Sequence, residues 1–253
     1  MGFFSAAIKS IAPIFIMTSP VTSYADQIYS IHKNRSSGGF SLDIPLIMLL
    51  ASILKIFYWF GAHFALSLLT QAILMIIMQC LLLHVALTHR PPSAAHHTPF
   101  APAPAPRPYN FWQWRPHRTY WVFLAYFTGG LFVLHILISP TSSFPAYTNM
   151  LGYLGLAIEA TLPLPQIMTN QRSRSTKGFR PSVLLNWLVG DVFKMAFFFL
   201  SGDGEVPWAF KFCGLLQACC DAYLGVQWWM FGNGPLEPTG TLAKEINIPL
   251  RDI

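Results

Sequence analysis

The chain has 253 residues, 53% of them hydrophobic and only 10% charged, against roughly 25% charged in a soluble globular domain. So few charges cannot clothe a water-facing surface, which excludes an ordinary soluble fold. The net charge of +6 sits in short segments between apolar runs, a pattern that sets membrane orientation and excludes a nucleic-acid-binding stripe.

Sustained apolarity predicts seven spans, near residues 5–25, 42–61, 64–87, 119–138, 146–168, 181–200 and 207–231. Each is close to the ~20 helical residues needed to cross a ~30 Å hydrocarbon core. The first carries Lys9, Pro13 and Pro20, and its alternative reading is a cleaved signal peptide. After it comes a polar turn with Lys33 and Arg35. Residues 88–118 form a Pro/Ala-rich linker in which Ala101 to Pro106 alternates Ala with Pro, favouring an extended, semi-rigid chain. His96 and His97 in it read as solvated loop, and Cys80, Cys213, Cys219 and Cys220 lie in apolar runs without a ligand spacing, so no metal or other cofactor is expected.

Basic residues follow spans one, three and five (Lys33 and Arg35; Arg90, Arg107, Arg115 and Arg118; Arg172, Arg174, Lys177 and Arg180), whereas 139–145 and 201–207 hold none. The positive-inside rule then places the N-terminus in a lumen or outside and the C-terminal tail, 232–253, in the cytosol. On this topology the sequon Asn34-Arg35-Ser36 stays unglycosylated. Trp112, Trp114, Trp121, Trp228 and Trp229 near span ends read as interfacial anchors.

An offset of 139 lays Gln27–Phe60 on Gln166–Phe199 without a gap, with ten of thirty-four pairs identical. The matched polar pairs are Gln27 with Gln166, Arg35 with Arg174, Ser36 with Ser175, and Lys55 with Lys194. Span one corresponds to span five, four crossings later, so the repeats run parallel. The fold class is an all-α membrane protein of seven helices in a 3+1+3 plan, as in SWEET-type transporters. Its parts are a first three-helix bundle (1–87), the linker (88–118), an inverting helix (119–138), a second bundle (139–231) and the tail.

Leu164-Pro165-Gln166-Ile167, the basic Ser/Thr-rich stretch that follows, and Gly190-Asp191-Val192-Phe193-Lys194 with Cys213-Gly214-Leu215-Leu216-Gln217 and Asp221 resemble the PQ-loop repeat family. That family includes lysosomal cystine and cationic amino-acid exporters. Within it the chain is most similar to the branch of PQ-loop repeat-containing protein one, whose fungal relatives oppose phospholipid flippases. The first copy is degenerate, with Asp26-Gln27 in place of Pro-Gln.

The resemblance implies a Golgi and endosomal protein that regulates phospholipid asymmetry by energy-independent scrambling, supports endosome-to-Golgi traffic, and is linked to P4-type flippases. The alternative it allows is a proton-coupled transporter of a small cationic or zwitterionic solute such as an amino acid, and a third is a non-transporting adaptor. Catalytic motifs for phosphate, acyl or peptide chemistry are missing from the sequence, which argues against an enzyme. Membrane phospholipids are the expected partners, and the oligomeric state is left open.

Ionisable groups deep in spans need a partner or a wet cavity. The candidate lipid or substrate path is Lys55, Glu159, Asp191, Lys194, Gln217 and Asp221. Asp191 and Lys194, three apart, share a helical face and form a structural or functional ion pair. Lys55 has Ser52 where that aspartate stands in the second repeat, so it snorkels or pairs across helices with Asp26, Glu159 or Asp221. Asp26, Gln27, Pro163, Pro165 and Gln166 are the candidate hinge, with Pro20 a possible substitute in the first repeat. Arg172, Arg174, Lys177 and Arg180 form a candidate anionic-lipid surface, or only an orientation signal.

Overall fold

The computed structural model describes residues 2–37, 41–90, 111–112, 114, 116–176, 181–201 and 205–232. Lys177, Arg180, Arg107, Arg115, His96, His97 and the tail from 233 onward lie outside the described residues. Every described element is helical. The order is α1 (Gly2–Asn34), α2 (Asp43–Ala62), α3 (Leu66–Thr88), α4 (His117–Ile138), α5 (Phe144–Ala160), α6 (Leu164–Ser173), α7 (Pro181–Leu200) and α8 (Trp208–Phe231). α5 and α6 are the two parts of one broken span, which leaves seven crossings among the described residues. By length and hydropathy alone, α2, α3 and α4 are long and apolar enough to cross a bilayer.

The helices close into a ring. α3 packs between α1 and α2, α8 packs against α5, α6 and α7, and the two groups meet along α2 with α5 and α1 with α7. Because α1 and α5 open the two repeats while α2 and α7 follow them, the two seams are equivalent under the repeat. They are not equally tight. An added Cβ on Gly152 would lie 2.6 Å from the Tyr58 ring, and one on Gly155 would lie 3.0 Å from the Ala51 carbonyl, so α5 approaches α2 at backbone distance, as small residues allow in membrane helix pairs. On the other seam, a Cβ on Gly190 would make ordinary contact with Phe15, at 3.7 Å.

α1 is longer than the apolar run predicts, extending to Asn34, with Pro13 and Pro20 inside it. Pro20 cannot donate to the Ile16 carbonyl, but the Ser19 hydroxyl does so at 2.9 Å, and the helix continues. The corresponding span of the second repeat does break. Pro163 and Pro165 cannot donate to the carbonyls four residues earlier. Leu162 N–H turns to the Glu159 carbonyl at 3.0 Å and Leu164 N–H to the Thr161 carbonyl at 3.1 Å, tightening the chain into a turn between α5 and α6.

Two apolar clusters complete the packing. One gathers Tyr58, Phe64, Leu68, Phe197, Phe198 and Phe210, with Ala12 and Ile16, at the end of the ring where α2 and α7 finish. There Phe64 and Phe210 rings lie 4.8 Å apart, and the backbone of the α2–α3 connection is tied to that of the α7–α8 connection by Ala65 N–H to the Glu205 carbonyl, 2.9 Å. The other cluster joins α4 to α2, α3 and α5 through Trp112, Tyr120 and Leu124.

Trp112 corrects the expectation of an interfacial anchor. It is 1% exposed, its indole N–H donates to the Leu42 carbonyl at 2.6 Å, and Tyr120 Oη donates to the carbonyls of Trp112 and Trp114 at 3.2 and 3.1 Å. The chain entering α4 folds back onto the start of α2 instead of lying at the interface. Trp229 is 82% exposed and suits the anchoring role. Trp112→Ala is expected to lower stability by about 3–5 kcal/mol, the usual cost of emptying a large aromatic site, measured by thermal unfolding of the purified protein in detergent.

Candidate functional site

The ring surrounds an open cavity of about 820 Å³, its mouth included, whose polar lining comes from α1 (Ser19, Thr22, Ser23), α3 (Gln71), α5 (Glu159), α7 (Asn186, Asp191, Lys194) and α8 (Gln217, Asp221). A smaller space of about 390 Å³ adds Lys55 and Cys213 and shares Glu159, Lys194 and Gln217 with it. All six residues of the expected path therefore meet in one place. The apolar cluster of Phe64, Phe198 and Phe210 caps the cavity at one end, and the cavity extends from there toward the break at Leu162 and Pro163.

The charges are arranged in two different ways at equivalent positions. Lys55 is 5% exposed, and its Nζ donates to Glu159 Oε2 across the α2–α5 seam at 2.6 Å. Glu159 is thus selected among the three partners the sequence allows. Lys194 instead pairs within its own helix, 3.0 Å from Asp191 Oδ1, and donates to Gln217 Oε1 on α8 at 2.9 Å. The 139 offset explains the exchange: Glu159 has Pro20 as its counterpart and Asp191 has Ser52. Each repeat supplies one lysine, and each lysine finds its carboxylate on a different helix type.

Asp221 is the third carboxylate, 3% exposed, and Asp191 is 7% exposed. Their carboxyl groups face each other at side-chain hydrogen-bonding distance.

The bend beside the cavity carries Pro163, buried against it, and Pro165, exposed. Gln166 Nε2 donates to Asn170 Oδ1 at 2.7 Å, and Asn170 Nδ2 donates to Gln227 Oε1 at 3.3 Å. Gln227 Nε2 in turn donates to the Ile167 carbonyl at 3.1 Å. This amide chain pins α6 to α8 in a site where Asn170 and Gln227 are each 1% exposed. The PQ loop repeat model matches the chain twice, at residues 10–68 and 147–205, and the proline break with its anchored glutamine lies in the second match.

This chain carries two PQ loop repeats. A relative from Saccharomyces cerevisiae, Scramblase ANY1, is 27% identical over 282 aligned positions, covering 86% of this chain and 69% of that protein.

The two PQ-loop copies differ at the bend. α1 runs unbroken through Asp26 and Gln27, both exposed, and Asn170 has Ile31 as its counterpart, buried at 6%. Pro20 does not act as a substitute break, for the reason given above. The copies agree one turn later. Arg35 and Arg174, equivalent under the offset, both adopt left-handed backbone, at φ 50° and 49°, a conformation costing a non-glycine residue about 1–2 kcal/mol.

Two residues further on, Ser37 N–H donates to the His89 carbonyl just past α3 at 3.0 Å, and Thr176 N–H to the Gly232 carbonyl just past α8 at 3.1 Å. Both side-chain hydroxyls donate to those same carbonyls. A paired latch therefore closes each PQ-loop onto the third helix of its repeat. Sequence reasoning missed Ser37, Thr176, Asn170 and Gln227. The Ser37–Thr176 pairing in the offset alignment was the available signal.

Of the candidate anionic-lipid surface, Arg172 and Arg174 are exposed at the end of α6. The Arg174 guanidinium carbon lies 5.5 Å from the centroid of the Phe231 ring.

Proposed function

We propose that this PQ-loop protein moves phospholipid headgroups across the bilayer through the polar cavity, without an energy source, while the acyl chains stay in the membrane. The observation that carries the reading is the inequality of the two seams. The α2–α5 seam is closed at backbone distance by Gly152 and Gly155, whereas the α1–α7 seam borders the cavity with Ser19, Thr22, Ser23 and Asn186. Thr22 and Asn186 line the cavity and are also exposed, which marks its mouth. The hydroxyls of Thr18 and Thr22 donate to the carbonyls of Ile14 and Ser19, so they tolerate hydrocarbon when no headgroup is present. The name of the yeast relative supports the same reading.

In this reading residues 1–87 and 139–231 are the two working units and 119–138 is the inverting link. The basic PQ-loop end faces the cytosol and the N-terminus the lumen. Golgi and endosomal membranes, with a functional link to flippases, follow from the branch resemblance. Exposed Arg172 and Arg174 at the cytosolic surface attract anionic lipid. The aromatic cap favours a second reading: a cavity closed at one end suits alternating access for a soluble amino acid.

Proteoliposomes holding fluorescent lipids decide between them. Wild type is expected to expose inner-leaflet lipid to a membrane-impermeant quencher without an ion or substrate gradient. A Phe15→Cys/Gly190→Cys pair, in a background free of the native cysteines and bridged by a short bis-maleimide, is expected to stop that movement. Gradient-driven uptake of labelled amino acids with no lipid movement would overturn the proposal.

A further inference from the structure

The basic turns that follow α1 and α6 share more than their latches. Under the 139 offset Lys33, Arg35, Ser36 and Ser37 lie on Arg172, Arg174, Ser175 and Thr176. Each copy therefore has an identical serine, Ser36 or Ser175, with one cation three residues before it and another immediately before it. Lys33, Arg35, Arg172 and Arg174 are exposed, Ser36 is exposed and Ser175 half-buried, whereas Ser37 and Thr176 are buried. The left-handed arginine ends the helical conformation, so both serines stand on non-helical chain just past α1 or α6. A serine on accessible, non-helical chain behind spaced cations is the charge pattern that a protein kinase with an acidic substrate cleft selects.

The next residue is the latch. Ser37 and Thr176 donate through N–H and hydroxyl to the carbonyls of His89 and Gly232, the C-caps of α3 and α8. These carbonyls are the negative ends of the helix dipoles, where cations stabilise and anions destabilise. Arg174, over the Phe231 ring at the end of α8, is such a cation. A phosphate on the neighbouring serine brings about −1.5 to −2 charges to the same helix end, where it acts by like-charge repulsion.

We infer that Ser36 and Ser175 are phosphate-acceptor sites for a serine kinase that selects basic residues, and that phosphorylation releases the two PQ-loops from α3 and α8. The serine Oγ displaces ADP from the γ-phosphorus of ATP, its proton passes to the kinase's base, and a phosphate ester forms. The inference rests on the cytosolic orientation proposed above, where ATP and kinases are found, and not on lipid movement. Ser36 supplies a check on that orientation, because it is also the serine of the Asn34-Arg35-Ser36 sequon, which a luminal turn would present for glycosylation.

The test uses the full chain purified in detergent from eukaryotic cells, with ATP and the catalytic subunit of a cyclic-AMP-dependent kinase as the probe. Mass spectrometry is expected to find phosphate on Ser36 and Ser175. Lys33→Gln or Arg172→Gln is expected to slow the reaction at the serine three residues on by about tenfold. Hydrogen exchange of the latch amides, Ser37 and Thr176, reads the consequence and is expected to quicken about tenfold on phosphorylation. Ser36→Ala/Ser175→Ala should keep slow exchange after the same treatment. Ser175→Glu, which needs no kinase, should quicken exchange at Thr176 and leave Ser37 unchanged.

Phosphate confined to other residues overturns the inference. So does an unchanged rate in both glutamine variants, or phosphorylated protein whose latch amides exchange at the unmodified rate. A glycan on Asn34 overturns the orientation and the inference with it. A bare Asn34 with phosphate on neither serine overturns the inference alone, and neither result bears on whether proteoliposomes move lipid.

Discussion

Lys55→Ala is expected to lower the stability of the purified protein by about 3–5 kcal/mol, the range for leaving one charge of a buried pair uncompensated. The lysine is 6% and the glutamate 17% exposed at the side chain, with 2.6 Å between them, so little water reaches either. Glu159→Gln should be milder, because the amide keeps the shape and one acceptor for Nζ. The double variant Lys55→Met/Glu159→Gln should recover part of the loss, since no buried charge then lacks its partner. A double-mutant cycle by thermal unfolding in detergent measures the coupling. Coupling near zero would mean that the contact is incidental. Strong coupling would identify the pair as the polar tie between repeats on the tight seam, the fixed side against which the α1–α7 seam opens.

The repeat, the PQ-type break and the meeting of six polar residues in one interior were legible because each has a local or periodic signature. An identical lysine at the same offset announces an equivalent position. It does not announce the partner, because Glu159 lies 104 residues from Lys55 and reaches it only where glycines let α5 close on α2. The breaking power of a proline was likewise only half legible. Pro163 and Pro165 break their span and Pro20 does not, and the difference is the Ser19 hydroxyl that takes the freed carbonyl. Trp112 was misread because the interfacial rule uses position along the chain, whereas the segment before α4 turns back and buries the ring against α2. The latches formed by Ser37 and Thr176 escaped notice because their one signal, a serine matched to a threonine at the 139 offset, does not name the acceptors, the carbonyls past α3 and α8, which only the packing brings near.

The aromatic cap sets the second large effect. Phe210 is 5% exposed and lies 4.8, 6.1 and 6.2 Å, ring to ring, from Phe64, Phe198 and Tyr58. It is the ring that joins the caps of the two repeats, since Tyr58 and Phe64 belong to the first and Phe198 and Phe210 to the second. Phe210→Ala is expected to cost about 3–5 kcal/mol and also to open the cavity at the end where it is now sealed. Cys213 reports the opening, because it lies less than one turn further along α8 and lines the smaller part of the cavity. With Cys80, Cys219 and Cys220 replaced by Ser, a membrane-impermeant maleimide added from the capped side should label Cys213 roughly tenfold faster in the alanine variant, the change expected when about 1.4 kcal/mol of closing free energy is removed. An unchanged rate would show that the Ala65–Glu205 backbone tie, rather than the rings, closes that end. Faster labelling accompanied by faster lipid movement places the rate-limiting barrier of a headgroup path at the cap, whereas faster labelling with loss of gradient-driven uptake is the signature of a gate that must close for solute transport.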